Sequence, residues 1–241
     1  MDLGGKRILI TGGGTGVGRA CALRFAAAGA RVAICGRRAD KLEEVATEAG
    51  GGVLTRAADV SIRDDVEALG EWVRRELGGV DVLVNSAGTN VQKRKMEELD
   101  PEDWEKLLRI NATGAFLCMR EVLPGMREQK DGVIVNISSV AGKRAIPLGG
   151  VAYNASKFAM TALGTSVSIE EAPNGVRVSN VYPGEINTPI LDARPVPPGP
   201  EHRARILQAE DVAEAVYLLA VLPPRAHIPE LVIKPTLQDY A

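Results

Sequence analysis

The sequence is poor in the residues that crosslink a fold or bind metal. Its three cysteines, Cys21, Cys35 and Cys118, are scattered and form no C-x-x-C pair. An odd, unpatterned set argues against a disulfide framework and a thiolate metal site, so each is read as a small buried apolar residue. The two histidines, His202 and His227, stand far apart without ligand-spaced neighbours, and no metal is expected. Charge of one sign is lacking too. With 29 Lys and Arg against 31 Asp and Glu, the net charge of −2 gives no field for nucleic acid or an anionic membrane. No apolar run reaches the ~18 residues of a membrane span. Met1 to Ile10 lacks the long apolar region of a signal peptide, which makes the cytoplasm the default expectation. Without secretion, the sequons at Asn111, Asn136 and Asn154 carry no weight.

What is present is an ordinary globular composition, 45% apolar and 25% charged over 241 residues, enough chain for a substantial core. Short apolar runs alternate with longer helical segments. Strands are expected at 7–11, 31–35, 53–57, 80–84, 132–137, 176–181 and 230–234. Helices are expected at 17–29, 39–49, 62–77, 100–129 with a break near Asn111, 150–172 and 209–221. The strands are nearly continuous apolar runs, as in a sheet covered on both faces. The alternation predicts an α/β fold: one doubly wound, Rossmann-type parallel sheet of about seven strands with helices on both faces. No repeat or linker splits the chain, and one domain over 1–241 is expected. Four prolines between 195 and 200 argue against regular helix or central strand within 190–208.

Between the first strand and first helix lies Thr11-Gly12-Gly13-Gly14-Thr15-Gly16-Val17-Gly18. A doubly wound sheet places a phosphate-binding turn there, because glycines allow close approach and the helix start offers free N–H groups. G-x-G-x-x-G fails from Gly12, since residue 17 is valine. A Walker pattern from Gly13 fails because Arg19-Ala20 replace Lys-Ser/Thr, which disfavours an NTPase.

The segment does match T-G-x-x-x-G-x-G, and so resembles the cofactor turn of the short-chain dehydrogenases/reductases. The resemblance continues in order through Asp59-Val60, Asn85-Ser86-Ala87-Gly88 (N-N-A-G in the family, with Ser86 as a departure) and Asn111. It then takes in Ser138-Ser139, Tyr153-x-x-x-Lys157 and Pro183-Gly184-x-Ile186-x-Thr188. It implies Asn111, Ser139, Tyr153 and Lys157 as catalytic. It also implies a cofactor site of Gly12, Gly14, Thr15, Gly16, Val17, Gly18, Asp59, Val60, Asn85, Ser86, Ala87, Gly88, Tyr153, Lys157, Pro183, Gly184, Ile186 and Thr188. Asp59 would meet the adenine amino group, and Asn111 would hold a water linking Lys157 to solvent. The reaction class implied is hydride transfer between nicotinamide C4 and a carbonyl or carbinol carbon, that of an alcohol dehydrogenase or ketone reductase. A non-catalytic NADP(H) sensor, or an epimerase or dehydratase on the same fold, remain alternatives. Subunits would pair through the helix near 111 and the one carrying Tyr153, as a homodimer or homotetramer.

The residues support that chemistry independently. Tyr153 and Lys157 stand at i and i+4, on one face of a helix. A free tyrosine has a pKa near ~10, and bringing it to ~7 calls for positive charge, expected from the Lys157 ammonium and an oxidised nicotinamide. Ser139 is suited to donate to the substrate oxygen. After the second strand, Gly36 stands where an acid would meet a ribose hydroxyl, and Arg37 and Arg38 offer partners for a 2′-phosphate. NADP(H) is therefore favoured over NAD(H), although Thr15 stands where many NADP enzymes of the family carry a basic residue. The short, proline-stiffened loop within 185–208 suggests a small carbonyl or hydroxyl substrate. Gln92-Lys93-Arg94-Lys95 reads as a solvated charged loop, or as an attractor of acidic substrates. The stretch from 210 to the ending Pro235-x-x-Gln238-x-Tyr240-Ala241 resembles one subgroup, the NADP-dependent 3-hydroxy acid (serine/allo-threonine) dehydrogenases.

Overall fold

The computed structural model describes residues 3–238. The expected alternation is present. In chain order the elements are β1 (Arg7–Thr11), α1 (Gly16–Ala27), β2 (Arg31–Gly36), α2 (Ala39–Glu48), β3 (Val53–Ala57), α3 (Arg63–Leu77) and β4 (Val82–Asn85). There follow α4 (Pro101–Leu108), α5 (Gly114–Gln129), β5 (Gly132–Ile137), α6 (Val151–Glu171), β6 (Val176–Pro183) and β7 (Ile186–Asn187). The last are α7 (Pro200–Arg205), β8 (Leu207–Gln208), α8 (Ala209–Val221) and β9 (Glu230–Ile233). Among the described residues, one sheet holds seven strands in the order β3-β2-β1-β4-β5-β6-β9, all pairs parallel.

Side-chain alternation along each strand builds two cores. Ile8, Ile10 and Ile34 face α1, α2 and α8, packing with Phe25, Leu42 and Val216. Leu9, Leu83 and Ile134 face α3 and α5, packing with Leu69, Met119 and Met126. Burying an aliphatic side chain of this size is worth about 2 kcal/mol. The cysteines behave as apolar filler: all three are buried, and burial pushes the thiols of Cys21 and Cys35 up to about 12. Among the described residues no cluster suited to a metal occurs, and no helix is long and apolar enough to cross a membrane.

Helix ends follow local chemistry. The Asp100 carboxylate accepts from Glu102 N at 2.8 Å, with Pro101 in the first turn. The break expected near Asn111 is a π-helical turn, Arg109–Thr113, joining α4 to α5.

One expectation is corrected. Within 190–208, Pro200–Arg205 form a short helix and Pro189–Ala193 a 3₁₀ turn. Each begins with proline, which fits a first turn because the N–H it lacks would be unpaired there anyway. Leu207–Gln208 return to pair with Ile186–Asn187 in a small separate sheet.

Candidate active site

Strand order reverses between β1 and β4, and a cleft of about 450 Å³ opens at their carboxyl ends. The glycine turn forms its floor. Gly12 has φ +66°, and a Cβ there would lie 2.8 Å from Ala87 Cα. A Cβ on Gly18 would lie 2.3 Å from Gly12 O. The two glycines thus let β1, α1 and the segment after β4 approach one another, and Gly18 acts by packing rather than by lining the cleft. Thr11, the first residue of the motif but not among the expected site residues, locks this approach: its Oγ1 accepts from Ser86 N and Ala87 N, both at 3.1 Å. Those bonds use the main chain of residue 86, so serine serves there in place of asparagine. Thr15 caps α1 without a side-chain bond, and the first turn holds no acid. This helix start therefore keeps its N–H groups and positive dipole end free for a phosphate.

At the far end of the cleft, Gly36, Arg37, Arg38 and Lys41 form a basic rim, and Arg38 Nη2 lies 3.5 Å from Thr15 Oγ1. Lys41 had no motif to announce it; it reaches the rim one turn into α2. Asp59 and Val60 line the adjoining wall. Asp59 Oδ1 accepts from Ser61 N at 2.9 Å and Ser61 Oγ at 2.7 Å. The glycine turn, the basic rim and this wall together fit a dinucleotide. Gly88, Pro183, Gly184, Ile186 and Thr188 line the opposite half of the cleft with Ser139, Tyr153 and Lys157.

Asn85 and Asn111 support the cleft from behind. Asn85, Asn136 and Asn180 are in register across β4, β5 and β6. Asn85 Nδ2 donates to Asn136 Oδ1, and Asn136 Nδ2 to Asn180 Oδ1, each at 3.0 Å. Asn180 Nδ2 then donates to Thr161 O of α6 at 3.2 Å. Both ends of the Asn111 amide are engaged: Oδ1 accepts from Thr89 N at 2.8 Å, and Nδ2 donates to Thr89 O at 3.0 Å and Ser156 Oγ at 2.9 Å. Its side chain thereby clamps the segment after β4 to α6.

Lys157 is 4% exposed, donates from Nζ to Ile137 O at 2.9 Å, and lies 5.7 Å from the Tyr153 ring centroid. Burial lowers its pKa to about 8. For Tyr153 the balance of this chain's own groups runs against the sequence expectation. Burial raises the phenol, opposed by a hydrogen bond with Ser139 and the charge of Arg94. Ser139 itself is held by Ala141 N, which donates to its Oγ at 3.1 Å.

Arg94 corrects a second expectation. It is not a solvated loop residue but 7% exposed, in the wall beside Tyr153. A run of charged neighbours hid it; only Gly150, whose φ of +78° brings its backbone against Arg94, hints at a residue packed there. Gln238 also lines the cleft, its Oε1 accepting from Glu185 N at 2.9 Å. The rest of the ending that carried the subgroup resemblance, Asp239 to Ala241, lies outside the described residues.

The model of the short chain dehydrogenase family matches residues 6–196. An uncharacterised oxidoreductase of Staphylococcus aureus is 30% identical over 231 residues, covering 95% of this chain and 97% of that protein. The crystal structure of 3-ketoacyl-(acyl-carrier-protein) reductase from Brucella melitensis, complexed with NADH, is 32% identical with a TM-score of 0.87, covering 98% and 99% of the two chains. The closed form of a serine dehydrogenase complexed with NADP+ is 31% identical with a TM-score of 0.89, covering 98% and 97%. Sequence match, sheet order and the cleft at the strand reversal agree: this chain belongs to the short-chain dehydrogenase family and is an oxidoreductase of that family.

Proposed function

We propose that the chain is an NADP(H)-dependent dehydrogenase/reductase that interconverts a carbonyl and a secondary alcohol on a small substrate, with Tyr153 as general acid/base. The observation that carries this is the convergence of Tyr153, Ser139 and Lys157 on one wall of a cleft whose glycine floor fits a dinucleotide. NADP(H), when bound, supplies or accepts the hydride. The chain's own residues do the rest. Thr15, Gly16 and Val17 present main-chain N–H groups to the pyrophosphate, while Arg37 and Arg38, with Lys41, recognise the 2′-phosphate. Ser139 holds the substrate oxygen and the Tyr153 hydroxyl exchanges a proton with it. Lys157 supports the nicotinamide end of the site from the same helix. Relatives bind both NADH and NADP+; the preference here rests on Gly36 and the basic rim.

The whole chain, 1–241, is read as one domain with 185–208 as its substrate loop, and serine-type 3-hydroxy acids are the first substrates to assay. Phe116 on α5 and Phe158 on α6 are 42% and 43% exposed, which supports pairing of subunits through those helices. The deciding experiment is Tyr153→Phe. Turnover of a carbonyl panel, followed by NADPH absorbance, should vanish while NADPH binding persists; full activity in that variant refutes the assignment.

A further inference from the structure

We propose that Arg94 is a positioning residue for proton exchange at Tyr153: a buried cation with no carboxylate partner, held beside the phenol so that its charge favours the tyrosinate. Its guanidinium donates to three main-chain carbonyls, from Nε to Val91 O at 2.9 Å, Nη1 to Leu148 O at 2.7 Å and Nη2 to Ala193 O at 2.6 Å. Carbonyl dipoles satisfy the donors but carry no net charge. Burying a guanidinium on such terms is costly, and a carboxylate partner is the usual compensation.

Among the described residues none pairs with it. Glu98 accepts from the Arg94 main-chain N at 3.3 Å instead. Glu185, the carboxylate of the substrate loop, is engaged by Arg194 at 3.4 Å and by His202 at 2.5 Å. The field of Arg94 is thus left to act on Tyr153, which lines the same cleft.

Position is fixed by main chain. Val151 N, the first residue of α6, donates to Arg94 O at 3.1 Å. A Cβ on Gly150 would lie 2.4 Å from Arg94 Cβ, so the two backbones are pressed together three residues before Tyr153.

The groups facing the phenol are then Ser139 from the end of β5, Lys157 from α6 itself, and Arg94 from the segment after β4. Beyond Arg94 stand Arg194 and the Glu185–His202 pair of the substrate loop. Lys157, with a pKa of about 8, loses its charge close to working pH. A guanidinium does not deprotonate in proteins, so Arg94 holds its charge across the whole range.

The test compares Arg94→Gln, which keeps N–H donors and loses the charge, with Arg94→Met, which loses both. The first readout is the tyrosinate absorbance titration, with Tyr153→Phe identifying the Tyr153 step; it needs no substrate. The second is the pH profile of kcat/KM, which alone rests on the catalytic reading above. Arg94→Gln and Arg94→Met should both raise the Tyr153 midpoint by about one pH unit or more. An unmoved midpoint in Arg94→Gln, or a rise in Arg94→Met alone, overturns the proposal and leaves Arg94 a structural tie. Should Arg94→Gln not fold, Arg94→Asn takes its place under the same outcomes. A shifted tyrosinate titration without turnover of any carbonyl would count against the proposed reaction, not against this role.

Discussion

Replacing Lys157 with methionine should abolish turnover and yet make the chain more stable at neutral pH. The ammonium is 4% exposed, and burial holds its pKa at about 8 instead of 10.5. Keeping it charged at pH 7 in that surrounding costs about 3 kcal/mol. Methionine is close in volume and gives up the hydrogen bond to Ile137 O, a loss of about 1 kcal/mol. The net gain is about 2 kcal/mol, or about 5 °C in Tm for a chain of this size. Its pH dependence has a definite sign. The folded state of the wild type binds fewer protons than the unfolded state between the two pKa values. Its penalty is therefore complete below pH 8 and is relieved as pH rises from 8 to 10.5. Urea unfolding of both proteins at pH 7 and pH 10 should show the advantage of Lys157→Met at the lower pH and its near disappearance at the higher. A variant destabilised at pH 7, or an advantage that does not change with pH, refutes the reasoning.

Three further outcomes are expected. Arg37→Ala should weaken NADPH binding by about tenfold or more and leave NADH unchanged, as read by fluorescence titration; equal losses for both cofactors would remove the 2′-phosphate role. Gly12→Ala places a side chain at φ +66° with Cβ 2.8 Å from Ala87 Cα. It should cost about 2–4 kcal/mol in urea unfolding and abolish cofactor binding, because backbone on both sides has no room to give. Asn180→Ala leaves Asn136 Nδ2 unpartnered and should destabilise by about 1–3 kcal/mol with NADPH affinity unchanged.

The strands and most helices were legible because apolar runs of strand length are separated by glycines and caps whose effects are local. Gly29 shows this: placed two residues past the end of α1, it takes a φ of +78°. The lining of the cleft was legible for a similar reason, since the glycine turn, the Tyr153–Lys157 pair and the Pro183–Thr188 loop are each contiguous in sequence. What was not legible depends on partners distant in the chain. Arg94 is buried only because Leu148 and Ala193 come to it. The asparagine row from Asn85 to Asn180 exists only once three strands are in register. The balance at Tyr153 could not be read from spacing either: i and i+4 bring Lys157 to the same helix face, but its Nζ turns to Ile137 O. The short helix at Pro200 was missed because prolines were read as breakers, although a first turn accepts them.

The tie between Gln238 and Glu185 carries a consequence for how such a protein diversifies. A glutamine outside the reaction machinery fixes the main chain at the root of the substrate loop and also faces the cleft. Exchanges in the short stretch around it would remodel the mouth of the site while leaving the proton-handling set and the dinucleotide floor untouched. The molecule accepted and the chemistry done to it are thereby written in separate parts of the chain, so that selection can revise one without putting the other at risk.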